Sequence, residues 1–161
     1  MAVRRTHATG PVALEKERAG YDSDFYTWSQ EQGRLVREGR WSEVDRENIA
    51  EEIESLGREQ FNKLESAIKV ILIHMLKWDH QPERRSRSWA LSIKGQRIVM
   101  RKVLKDNPDL KPRIGEAIAG AYEEACVDAA NETGLAEKAF PPTCPYSRDD
   151  ITSRAFQYGD D

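Results

Sequence analysis

The chain has 161 residues, 33% of them charged, yet a net charge of only −3. That length suits one domain around a single core. No apolar run reaches the ~18 residues of a membrane-crossing helix, no apolar stretch follows Arg4-Arg5 as a signal peptide requires, and Cys126 and Cys144 lack CxxC partners. A cytoplasmic protein with free thiols and no membrane association is expected.

Residues 1–20 show no periodicity and include Gly10-Pro11 and Gly20. They read as a disordered or loosely tethered lead-in, with a single all-helical domain over 21–161. A first helix is predicted from an Asp22 or Ser23 cap to about Glu38, with Phe25, Trp28, Leu35 and Val36 on its apolar face. Gly39 suits the left-handed position after the helix end. Trp41 falls in a short connection, and Ser42 or Asp45 caps the next helix.

The stretch from Asp45 to Asp79 is the longest helical pattern. With Ile68 as zero, Leu64, Ile71, Leu72 and Met75 lie within about 60° of it. Val70, Ile73 and Leu76 extend the apolar surface to other sides, the pattern of a helix enclosed by neighbours. Upstream, Ile49, Ile53 and Leu56 form a stripe that loses phase near Gly57. Thirty-five helical residues would span about 52 Å, while a chain of this size measures about 40 Å across. A kink or break near Gly57 is therefore expected.

Gln81-Pro82 interrupts the pattern. Ser86 or Ser88 caps a helix from near Trp89 to about Lys105, with Trp89, Ile93, Gln96, Met100, Val103 and Leu104 facing inward. Asn107-Pro108 reads as a stop and restart, with asparagine as cap and proline in the first turn. The next helix, to about Thr133, carries Gly115, Ala117, Ala119, Gly120, Ala121, Ala125 and Ala129, a seam for close backbone approach. Gly134 ends it, Phe140 to Tyr146 form a stiff strap, and Ser147 with Asp150 caps a last short helix near Arg148–Phe156. The fold class is all-α: a bundle of about four main helices plus a short C-terminal one.

Charge is uneven along the chain. Residues 77–105 hold nine lysines and arginines against two acidic residues, and residues 106–161 hold five against twelve. The basic block either neutralises acidic neighbours across helices or offers an anion site. Within it, Arg84, Arg85 and Arg87, flanked by Gln81, Trp78 and Trp89 and followed by Arg97, form the strongest anion-binding signal, since guanidinium forks match carboxylate and phosphate oxygens. The structural alternative pairs these arginines with Glu52, Asp45 or C-terminal carboxylates.

Glu47, Glu51 and Glu54 lie opposite the apolar stripe and read as a solvated face. Glu52 and Asp45 sit on its shoulder, suited to an ion pair with a neighbouring helix or, for Glu52 with His74, to acid–base chemistry. His74 equally suits a packing role with one hydrogen bond. His80 is expected in the exposed corner. No Glu-x-x-His, His-Glu-x-x-His, phosphate loop or dinucleotide fingerprint occurs, so no metal and no cofactor is predicted. Cys144, between prolines, has no activator.

Six runs carry a family resemblance: AEEIESLG at Ala50–Gly57 behind Asp45, HMLKW at His74–Trp78, QPERRSRSW at Gln81–Trp89, IKGQR at Ile93–Arg97, ETGL at Glu132–Leu135 and FPPTCPY at Phe140–Tyr146. In order, over roughly Tyr21 to Phe156, they resemble the bacterial "domain of unknown function 29" family. The Phe156-Gln-Tyr ending departs from the aromatic-proline ending of that family. The resemblance implies a small bacterial all-helical protein and carries over no catalytic or binding residue.

Three functions fit these residues. The leading one is a non-enzymatic module that binds a protein partner. The second is a nucleic-acid or phosphate binder or processor acting through Arg84, Arg85, Arg87, Lys94, Arg97 and Arg101. The third is an enzyme with Glu52 and His74 as acid–base pair. The sequence sets neither the partner nor the oligomeric state.

Overall fold

A computed structural model of the chain describes residues 20–158. The expected lead-in over 1–20 lies outside them except for Gly20. The described residues are all-α, with no strand. Helix α1 spans Phe25–Arg37, α2 Arg46–His80, α3 Arg87–Asp106, α4 Ile114–Thr133 and α5 Arg148–Ser153. The chain forms two compact units, one ending at Glu52 and the other beginning at Ile53.

In the first unit the cap of α1 is Asp24, not Asp22 or Ser23. Its carboxylate accepts from the Thr27 backbone N–H at 3.0 Å, which satisfies one of the free donors of the first turn. Trp28 and Leu35 are buried, but Phe25 is 51% and Val36 38% exposed, so only half the predicted face is covered. The rings of Tyr21 and Trp28 meet edge-on at 4.9 Å. At the far end Gly39 has φ +70°, with Gly39 N–H donating to the Val36 carbonyl and Arg40 N–H to that of Leu35. This is the Schellman closure expected of glycine there. Asp45 caps α2, taking the Asn48 side-chain amide at 2.8 Å and its backbone N–H at 3.4 Å.

Helix α2 runs through Gly57 without interruption, so the break foreseen there is absent. Two ion pairs explain the continuity. Glu54 with Arg58, at 3.7 Å, spans the glycine, and Glu59 with Lys63, at 3.0 Å, follows it. Each i,i+4 pair with glutamate N-terminal adds about 0.2–0.5 kcal/mol, which largely offsets the roughly 1 kcal/mol cost of a glycine in a helix.

The core of the second unit is built as the periodicity requires. Leu64, Ile68, Ile71, Leu72, Met75 and Leu76 of α2 are fully enclosed. They pack with Ile93, Met100 and Val103 of α3 and with Ala117, Ala121, Ala125 and Ala129 of α4. The alanines keep α4 close, and Lys69 ties the helices by reaching Glu124 at 2.9 Å and Asp128 at 3.4 Å. The Asn107-Pro108 restart differs from expectation. A 3-10 turn over Pro108–Arg113 precedes α4, and the Asn107 side chain donates back to the Val103 carbonyl at 3.0 Å instead of capping forward. A second proline, Pro112, inside that turn forbids regular α-helical bonding until Ile114. Ser147 and Asp150 form the expected reciprocal cap of α5.

Candidate binding cleft

The basic block does not act as one cluster. Gln81 is buried, and its amide donates to the Thr133 carbonyl at 3.2 Å. Arg85 donates through Nε to the Trp78 carbonyl at 2.9 Å and lies 5.2 Å from the Trp78 ring centre. Lys77 is buried against Glu132 and over the Trp89 ring at 4.6 Å. These three groups fasten the corner after α2 to the bundle.

Arg97 fastens the C-terminal end. Its guanidinium donates to the backbone carbonyls of Ile151, Arg154 and Asp150 at 2.7, 2.8 and 2.8 Å. It therefore satisfies the free carbonyls of α5. Arg154 in turn forms a two-pronged pair with Asp79 at 2.6 and 2.8 Å, and Tyr146 donates to the same carboxylate at 3.0 Å. Burial pushes the Asp79 carboxyl up, but the bonds from Arg154 and Tyr146 outweigh it and hold it below the usual carboxylate range.

What remains is a cleft of about 390 Å³ between α3 and the chain after α5. Arg87, Leu91, Lys94, Arg97 and Arg101 line one wall, and Thr152, Ser153, Phe156 and Tyr158 the other. Among the described residues no carboxylate lines it. Among the described residues Arg87, Lys94 and Arg101 are exposed and have no ion-pair or hydrogen-bond partner. Arg97 has only neutral partners, so its charge adds to theirs. Burial pushes its ionisation down, and the charges of Arg101 and Arg154 add to the effect. Arg84 is exposed on the 3-10 turn Pro82–Arg84, outside the cleft lining.

The acidic candidates have neutral partners. Glu52 accepts from the Tyr21 hydroxyl, an interaction that, with some burial, pushes the phenol up to about 12. Asp45 holds Trp28 Nε1 at 3.2 Å and Asn48. Among the described residues neither meets an arginine. Glu52 belongs to the first unit and His74 to the second. His74 is half-buried and its Nδ1 has no partner. Burial, then the charge of Lys77, push it below its ordinary value, against the opposing pull of Glu132. His80 is not in an exposed corner. Its Nδ1 lies 2.9 Å from the Leu76 carbonyl, and its ring stands edge-on to Phe140.

A second, larger groove of about 1090 Å³ lies between α4 and the 136–144 strap. Tyr122 closes part of it by donating to the Pro141 carbonyl at 2.7 Å. Cys126 and Cys144 line it, and burial pushes both thiols up, away from the reactive thiolate. Among the described residues no three His, Cys, Asp or Glu side chains gather as a metal site, and no helix is long and apolar enough to cross a membrane.

Sequence reasoning placed Arg84, Arg85 and Arg87 first, named Lys94, Arg97 and Arg101 beside them, and did not single out Leu91, Thr152, Ser153, Phe156 or Tyr158, which line this cleft. One signal was available. Arg87, Lys94 and Arg101 recur every seven residues, which places them on one helical face.

The family model described as domain of unknown function DUF29 matches residues 21–157. No curated protein and no solved structure matches the chain.

Proposed function

From the premise that this chain belongs to the DUF29 family of domains of unknown function, we propose that it is a non-enzymatic module that binds an acidic partner protein through the basic face of α3. The observation that carries this reading is the cleft lined by Arg87, Lys94 and Arg101, with no carboxylate among the described residues that line it. Other cations of the second unit fasten helices and loops. Lys69, Lys77, Arg113 and Arg154 all hold carboxylates. Three cations left free on one face, beside an exposed Leu91, form a surface suited to recognition rather than to fastening helices.

The test is retention from a lysate of the source cell on the immobilised full chain, compared with an Arg87→Ala/Lys94→Ala/Arg101→Ala variant. An acidic protein should be retained by the wild type, released near 1 M salt, where the Debye length falls to about 3 Å, and lost by the variant. Retention that survives in the variant refutes the reading. Retained material that disappears on nuclease treatment replaces it with the nucleic-acid reading.

A further inference from the structure

Arg87, Lys94 and Arg101 stand in a row. At a rise of about 1.5 Å per residue, seven residues advance about 10 Å along α3, so the row is about 21 Å long. A single phosphate or carboxylate reaches one of these cations and leaves the others unmatched. An occupant that satisfies all three is long and carries negative groups about 10 Å apart. Three residues of a polyproline II chain make one turn and advance about 9 Å, so acidic side chains at every third position of a peptide in that extended form lie on one face and match the row.

The opposite wall favours the same shape. After α5 the chain from Arg154 to Tyr158 adopts no helix. Among the described residues the backbone N–H groups of Ala155, Phe156, Gln157 and Tyr158 donate to no acceptor. A peptide in that form, laid beside them, offers its backbone carbonyls as acceptors. Between Arg87 and Lys94 the wall is apolar. Ala90 lies there, and Leu91 is 52% exposed. A nucleic-acid strand suits this lining less, since its charges repeat more closely and the cleft has only Phe156 and Tyr158 as stacking platforms.

We propose that the cleft between α3 and residues 154–158 takes an extended acidic segment of a partner protein, with carboxylates at every third residue opposite Arg87, Lys94 and Arg101. This inference rests on the module reading above and specifies its partner.

The experiment is fluorescence anisotropy on the full chain with three labelled probes. One is a nine-residue peptide with glutamate at every third position and small apolar residues between. The second has the same composition with its three glutamates contiguous. The third is a single-stranded oligonucleotide. The period-three peptide should bind about fivefold more tightly than the contiguous one, as two exposed ion pairs are lost in the latter. Lys94→Ala and Arg101→Ala should each weaken the period-three peptide about two- to threefold. Lys94→Glu should weaken it further and be rescued by lysine at the central acidic position. Equal binding of the two peptides, indifference to Lys94→Ala and Arg101→Ala, or tighter binding of the oligonucleotide overturns the inference. If neither peptide binds while the lysate test still retains an acidic protein, the spacing inference fails and the module reading stands.

Discussion

His74 sits on α2 with its Nδ1 shut away from water and unpartnered, and protonating it there is costly. Because its folded-state value lies below its ordinary 6.5, the unfolded chain takes up the proton first as pH falls. Stability is then lost progressively as pH drops below about 6.5. Urea midpoints measured at pH 7.5 and 5.5 should show this loss, and His74→Phe should flatten it. An unchanged pH slope in the variant would remove His74 from the account. Asp79, Asp45 and Asp150 work in the opposite sense. All are held below their ordinary value, so their contributions disappear only at more acidic pH. Their neighbours explain what was legible. The reciprocal cap of Ser147 and Asp150 is written in four consecutive residues. The bond from Tyr21 to Glu52 joins residues 31 apart and leaves no local mark.

The helices were legible as elements because their signals are local. Caps, glycine stops and the 3.6-residue period all act within a few turns, and they place α1, α3, α4 and α5 close to where they lie. The misreadings also have local causes. Asp24 outcompetes Asp22 and Ser23 because its carboxylate lies within reach of the Thr27 N–H. Pro112 holds back α4 behind a 3-10 turn. At Gly57 the length argument favoured interruption, but the flanking ion pairs sustain the helix. Added side-chain atoms at Gly57 would meet nothing within 4 Å. Gly57→Ala should therefore stabilise the protein by about 0.5–1 kcal/mol, seen as a higher urea midpoint. Destabilisation would mean that the backbone there is not helical. Helix α5 is a different case. Six residues are too few to persist alone, and Arg97, donating to two of its carbonyls and to that of Arg154 just beyond, holds it on α3.

Across the whole molecule, the run from Leu64 to Leu76 supplies eight of the twenty described residues buried in the hydrophobic core. Leu72→Ala should cost about 2–5 kcal/mol, while the exposed changes Lys94→Ala and Arg101→Ala should leave the unfolding midpoint within about 0.5 kcal/mol of wild type. A small loss at Leu72 would mean that the core is not closed over α2. Hydrophobic period and local capping chemistry, both carried by residues a few positions apart, were enough to determine an all-helical chain and the identity of its core. Only the tertiary structure decided which cations are spent and which stay free. Arg85 and Arg97 are taken by backbone carbonyls, acceptors that every residue carries and that no count of charges reveals. Lys77 and Arg154 are taken by carboxylates 55 and 75 residues away. The cleft exists because α5 and the chain beyond it come to rest beside α3, and that placement depends on long-range hydrogen bonds that no local pattern encodes.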